Sequence, residues 1–412
     1  MPRKTPLYRS GGAASSVPVP PAPRDASAAA ADPTAAAATV MIGSDIYRAS
    51  NHARGHPLAI PRVSLCIDLC RALGWLSPET YLESPQASVA ELCRFHDPDY
   101  VAAVRRCELG QQASDEDRSR FNLGVNGNPV YAEMFRRPAM ACGASLAGAR
   151  RLVDRGGVVF NPAGGTHHGL SARASGFCIF NDPVLAILAL LDAGLTRVFY
   201  LDVDAHFGDG VQLAFADEPR VFTLSIHEGG RWPMGREDAW TAALGGVYDR
   251  GGGTARNLPV PRELNDSEMA ILLDAVVLPT IASFAPEAVV LQCGADALAD
   301  DPMTKLSLSN GALWRVVAAV RGMAPRLLVL GGGGYNPWSV GRCWAGVWAR
   351  LAGIAIPDRL PAAAEDLLRA VHWPHRRGRE PAERWFTTLA DPPNEGPVRE
   401  DVLRLAAEAM RA

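Results

Sequence analysis

Five short apolar and β-branched runs, at residues 158–160, 198–201, 221–226, 288–292 and 327–330, limit most strongly what this chain can fold into. Helical segments separate most of them. Asn181-Asp182-Pro183 supplies a cap and a proline at the first helical position, and Gly194 stops that helix. Asn265-Asp266 opens another, expected to run to about Phe284. Strands alternating with helices imply βαβ units. The expectation is an α/β fold: a single open, mainly parallel sheet with helices on both faces.

Nearly every expected strand is followed at once by polar or glycine-rich residues. Gly164-Gly165-Thr166-His167-His168 follows the first, and Asp202-Val203-Asp204-Ala205-His206 the second. Ser225-Ile226-His227, Gly294-Ala295-Asp296 and Gly331 to Tyr335 follow the others. Ligands bind outside the carboxyl ends of the strands in open α/β sheets. Five such ends on one edge predict an active site there.

The residue types indicate its chemistry. Asp204 and His206, two apart where a strand breaks into a loop, can turn to the same side. A carboxylate with an imidazole suits Zn²⁺ or Fe²⁺, and Asp296 at another strand end offers a third ligand. Three protein ligands leave positions open for water and substrate, the mark of a catalytic ion. His167-His168 reads either as a metal-binding pair or as acid/base catalysts. Acid/base histidines need carboxylates to orient them, and Asp202 and Asp209 are available. Gly331 to Gly334 let the backbone approach a neighbour closely, and Tyr335 beyond them could donate to an oxyanion. A phosphate loop is the competing reading, but neither a Walker lysine nor GxGxxG spacing is present.

Composition sets outer bounds. At 412 residues and 48% hydrophobic content the chain can bury a large core, and a net charge of −3 gives no general attraction to nucleic acid or anionic membrane. The eight cysteines are scattered without a CxxC pair, which points to reduced thiols in the cytoplasm. No uncharged apolar stretch approaches the ~18–20 residues that span a bilayer; the best, 184–191, meets Asp192. No apolar segment of signal-peptide type follows Met1, so neither secretion nor membrane insertion is expected. Residues 1–38, rich in Ala, Pro, Ser and Gly, cannot offset their ordering entropy and are expected to be a disordered tail. Residues 39–412 are expected to form one catalytic domain, with C-terminal helices from about 361 packing on it.

These motifs in this order resemble the histone deacetylase family, in its bacterial acetoin-utilisation and acetylpolyamine-amidohydrolase branch. The resemblance runs from about residue 47 to 348 and includes Gly55-His-Pro57, Gly164-Gly-Thr-His-His168, Gly176-Phe-Cys-Ile-Phe-Asn-Asp182, residues 202–210, Gly294-Ala-Asp296 and residues 331–336. It implies the arginase–deacetylase fold and a deacetylase that hydrolyses N-acetyl amides to acetate and free amine. It implies Asp204, His206 and Asp296 as Zn²⁺ ligands. His167 and His168 become a catalytic pair oriented by Asp202 and Asp209 respectively, and Tyr335 the residue that polarises the acetyl carbonyl. Gly176, Phe177, Trp232 and Met303 would line a channel for the acyl-lysine stem. A structural K⁺ would be held by Asp202, Asp204, His206, Ser225 and Ile226, and Arg62 would line a cavity for departing acetate.

Two departures stand out. The channel-rim aspartate of eukaryotic relatives has no acidic counterpart in Val125-Asn-Gly-Asn-Pro129, and Phe207 replaces a histidine that is not a ligand. Acetyl-lysine of proteins and acetylated polyamines both remain as substrates. An acidic gatekeeper would favour polyamines, and Glu228, Glu237 and Asp238 lie near Trp232, but charged loop residues are usually just solvated. Two rival functions are weaker. A two-Mn²⁺ ureohydrolase needs more carboxylates than Phe207 and Gly294 leave, and a non-catalytic acyl-lysine binder needs neither the histidines nor Tyr335.

Overall fold

The computed structural model describes residues 39–49, 52, 55–235 and 243–411. The expected tail, residues 1–38, and the acids Glu237 and Asp238 lie outside these. Residues 38–412 cluster as one compact unit.

Eight strands are found among the described residues: β1 (Val40–Gly43), β2 (Tyr81–Glu83), β3 (Gly157–Asn161), β4 (Val198–Asp202), β5 (Val221–Glu228), β6 (Ala255–Val260), β7 (Ala288–Gln292) and β8 (Arg326–Leu330). All pairs are parallel, in the order β2-β1-β3-β8-β7-β4-β5-β6. The fold is thus an open, wholly parallel sheet. Residues alternate between its two faces, as strand geometry requires. Phe199, Leu201, Val289, Leu291, Leu327 and Val329 join a core with the helices Arg62–Ala72, Asn310–Val320 and Pro337–Ala352. Val198, Tyr200, Val290 and Leu328 pack on the opposite face with Arg136–Arg155 and Asp182–Asp192.

The segment Asp266–Phe284 is the one described helix long and apolar enough to cross a membrane by length and composition, a property residues 184–191 were expected to approach best. Its Leu272, Val276, Val277 and Ile281 are fully buried in the core, and Glu268 pairs with Arg399 at 2.6 Å. It is a core helix with a π turn at Leu273–Val277, just before Pro279, which cannot supply a backbone donor to the preceding turn. The C-terminal helix Glu400–Arg411 packs Val402, Leu405 and Ala409 into the same core.

Register fixes the functional edge. Asn161 pairs with Leu330, Leu330 with Gln292, Gln292 with Asp202, and Asp202 with Ser225. The carboxyl ends of β3, β8, β7, β4 and β5 therefore stand side by side.

One buried histidine ties the loops above that edge together. His96 Nε2 accepts from the Asn181 backbone N–H at 2.9 Å, while Nδ1 donates towards the carbonyls of Leu170 and Ser171. Asn181 in turn holds the carbonyls of His167 and Gly169. Burial is the main cause that pushes His96 from 6.5 down to about 4, because a charged ring would lose its acceptor role and its solvation. A depressed histidine adds stability that is complete above its unfolded pKa and lost as pH falls from 6.5 through about 4. The loss is of order 3 kcal/mol at most. Melting temperatures of wild type and His96→Gln, followed from pH 7.5 to 4, check this. The variant is less stable at neutral pH but has the flatter profile; equal slopes would remove His96 from the account.

Candidate active site

The site is built on backbone turns held from below. After β3 the chain turns at Gly165-Thr166, and Asp182, at the start of Asp182–Asp192, accepts both backbone N–H groups at 2.9 Å. This fixes His167 and His168, whose ring centroids lie 4.0 Å apart. His167 Nδ1 contacts Asp202 Oδ2 at 2.7 Å, and His168 Nδ1 contacts Asp209 Oδ1 at 2.7 Å. Asp202 is further held by the Tyr200 hydroxyl at 2.8 Å. Each histidine thus keeps Nε2 free of its carboxylate partner.

Asp204, His206 and Asp296 form the one group of three titratable side chains among the described residues with metal-ligand spacing, their ligand atoms all within 4.8 Å of one another. His206 Nδ1 lies 2.9 Å from Asp296 and 3.4 Å from Asp204. Backbone N–H groups of Gly333 and Ala205 donate to Asp204 and Asp296 at 2.6 and 3.0 Å, fixing the carboxylates' orientation. A Cβ on Gly294 would collide with Asp204 Oδ2, so only glycine lets that carboxylate lie where it does.

The electrostatics favour a cation at this point. Burial opposes charge on His206, yet Asp204 and Asp296 outweigh it and push the imidazole up to about 10. The same field that holds a proton there would hold a metal ion. Two carboxylates and one imidazole are a donor set suited to zinc or ferrous iron. The two histidines of the pair diverge. Burial disfavours charge on His167, but Asp202 and Asp204 overcome it and raise it to about 9. Burial, reinforced by the positive His167, lowers His168 to about 4.

Above these residues opens a cavity of about 490 Å³. Gly176, Phe177, Trp232 and Met303 all line it, together with His168, His206 and Tyr335. Trp232 meets the His168 ring edge-on at 4.8 Å, and Phe177 faces Tyr335 at 6.1 Å. Gly176 has φ +54°, and a Cβ there would come within 2.6 Å of both His168 and Trp232. Below lies a narrower cavity of about 50 Å³ that Arg62 lines with Tyr335, His167 and Asp204. Arg62 Nη1 donates to the Gly332 carbonyl at 2.7 Å, and the guanidinium lies over Trp344.

The sequence-derived site residues are thus brought together. Ser225 and Ile226, on β5, adjoin Asp202 of β4, with the Ser225 hydroxyl 2.8 Å from His227 Nδ1. Glu228, one of the acids weighed as a gatekeeper, takes no such role. It is buried and taken up by Arg231 at 2.5 Å, Arg262 at 3.4 Å and the Lys305 backbone N–H. Sequence reasoning missed Asn122, Arg173 and Arg231, which line the larger cavity together with Asn126 of the expected rim stretch. They lie in or beside loops with no periodic signal. It also missed Asp301, which fixes the Tyr335 backbone N–H at 2.7 Å.

The comparisons agree with this geometry. The histone deacetylase domain family matches residues 56–351. The chain is 32% identical to acetoin utilization protein AcuC of Bacillus subtilis over 78% of its own length and 84% of that protein. It is 36% identical to a Caenorhabditis elegans protein bearing a histone deacetylase name, over 75% of this chain and 60% of that protein. For histone deacetylase 1 of Oryza sativa the values are 35%, 75% and 59%. The chain therefore spans about three fifths of the nematode and rice relatives. The crystal structure of an HDAC homolog from Aquifex aeolicus superposes with a TM-score of 0.83 at 34% identity, covering 90% of this chain and 99% of that one. An HDAC homolog complexed with SAHA gives 0.84 at 33% identity, with the same coverage. With its wholly parallel sheet and motif order, this chain belongs to the histone deacetylase family.

Proposed function

We propose that the protein is a metal-dependent deacetylase that hydrolyses N-acetyl amides to acetate and free amine. The observation that carries this is that Asp204 and His206 of the Asp204-His206-Asp296 cluster, the two carboxylate-bound histidines and Tyr335 line one inner cavity. When bound to those three ligands, a divalent ion such as Zn²⁺ polarises the acyl carbonyl and acidifies the attacking water. His168, neutral at pH 7, takes the water proton at Nε2 while Asp209 holds its Nδ1–H. His167, oriented by Asp202 and raised by that carboxylate, supports the negative charge that develops nearby. The Tyr335 hydroxyl donates to the acyl oxygen as it becomes an oxyanion. A histidine then returns a proton to the leaving amine. Phe177 and Trp232 flank an acyl-amine stem and exclude water, and Arg62 faces the inner cavity that would take acetate.

The assignment of K⁺ to Asp202, Asp204, His206, Ser225 and Ile226 is supported by the adjacent ends of β4 and β5. The eight free cysteines support a cytoplasmic location. The ureohydrolase alternative loses support at Gly294, where a carboxylate side chain would displace Asp204. A pure acyl-lysine binder has no use for the His–Asp pairs.

Acetate release from an acetyl-lysine peptide and from acetylspermidine tests the reading. Chelation abolishes turnover, and restoring Zn²⁺ or Fe²⁺ recovers it. Full activity in chelator removes the metal, and metal-loaded protein inert on both substrates removes the deacetylase.

A further inference from the structure

The charge around the larger cavity bears on which acyl amines this site accepts. Its floor holds His168, His206 and Tyr335, and its wall includes Arg173, Arg231, Asn122 and Asn126, with no carboxylate among its described lining residues. Arg173 is exposed, and its side chain has no partner among the described residues. Arg231 donates to Glu228 and to the Met303 carbonyl at 2.7 Å. Glu228 is also approached by Arg262, so this neighbouring cluster places two guanidinium groups against one buried carboxylate. The Asn126 amide donates to Asn122 Oδ1 at 2.8 Å, presenting neutral polar atoms rather than an acid. Asp301, two residues before Met303, is buried and turned towards the backbone N–H groups of Met303 and Tyr335.

We propose that this mouth selects N-acyl amines carrying a carboxylate at the far end of the acylated stem, and disfavours cationic acylpolyamines, with Arg173 as the main specificity residue. The proposal rests on the deacetylase reading above. A carboxylate at the mouth meets a guanidinium that has no partner among the described residues, at no desolvation cost to an ion pair described there, whereas an ammonium meets like charge. Such exposed contacts change binding by a few-fold each, and attraction of one end group plus repulsion of the other gives about tenfold across a series. The carboxylate could belong to a free acyl amino acid or to a residue beside an acyl-lysine in a peptide.

Three substrates with the same five-carbon stem separate charge from shape: 6-acetamidohexanoate, 6-acetamidohexanamide and N-acetylcadaverine. With metal-loaded protein at low ionic strength, kcat/KM falls in that order by about tenfold overall. Arg173→Gln compresses the series, Arg173→Glu reverses it, and 0.5 M salt flattens the wild-type series. Acetyl-lysine peptides with Asp or Arg beside the acyl-lysine form the second arm; preference for Asp there alone assigns the carboxylate to peptides. N-acetylcadaverine as the better substrate, or an order that ignores Arg173, overturns the proposal. So does a charge preference that disappears only in Glu237→Gln/Asp238→Asn. If every peptide is hydrolysed alike and the three small substrates are also alike, this inference fails while the deacetylase reading stands. If nothing in either arm releases acetate, both fail.

Discussion

Replacing Asp204 by Asn removes bound metal and lowers acetate release by at least roughly 10³-fold, since the ion supplies several kcal/mol of charge stabilisation to the reaction. The substitution keeps side-chain volume but deletes one of the two carboxylate charges in the cluster. Asp204 is buried, with the Gly333 backbone N–H on one oxygen and the His206 backbone N–H on the other. Burial works against its ionisation, but His167 and His206 hold it well below the ordinary carboxylate range. An amide cannot match that charge, and its NH₂ group would confront the N–H of Gly333 or His206. Elemental analysis after gel filtration reads the metal, and an acetate-release assay reads the rate. A variant that keeps stoichiometric metal and full turnover would falsify the ligand assignment.

Tyr335→Phe gives the complementary result: kcat falls by about 10²–10³-fold, the range for losing one oxyanion donor, while metal content and KM stay close to wild type. The ring is fixed by more than its hydroxyl. Asp301 holds the Tyr335 backbone N–H at 2.7 Å, and Phe177 meets the ring at 6.1 Å. Phenylalanine therefore retains the packing and isolates the donor. Burial, with Asp296 and Asp204 nearby, raises the phenol well above 10, so it stays protonated across the working pH range. The two variants separate the roles, one losing the ion and the other only the hydrogen bond. Full turnover in Tyr335→Phe would assign the oxyanion to another group.

The central strands and the chemistry that follows them were legible for one physical reason. β3, β4, β5, β7 and β8 are covered by helices on both faces, so they read as apolar runs, and each ends where polar side chains are needed. The remaining strands lack that signature. β2 is a three-residue edge strand, and β6 carries Arg256, Asn257 and Pro259, tolerated because an edge strand pairs on one side only. β1 has only four residues. In the site, motif residues could be placed because spacing and chemistry coincide in them. Arg173 could not, since its importance comes from where a loop folds over the cavity. Glu228 illustrates the converse: a charge in sequence does not reveal that Arg231 and Arg262 already occupy it.

The strand order also bears on how the protein is made. The histidine pair follows β3, while Asp204 and Asp296 follow β4 and β7, and among the described residues the one strand between these two groups is β8, the last of the eight in chain order. Until residues 326–330 insert, the nascent chain holds two half-sheets whose inner edges lack their shared neighbour. Such unpaired edges are sites of mispairing. A chain in which β8 has not yet inserted therefore lacks the strand that joins the histidine pair's side of the sheet to the side that carries Asp204 and Asp296.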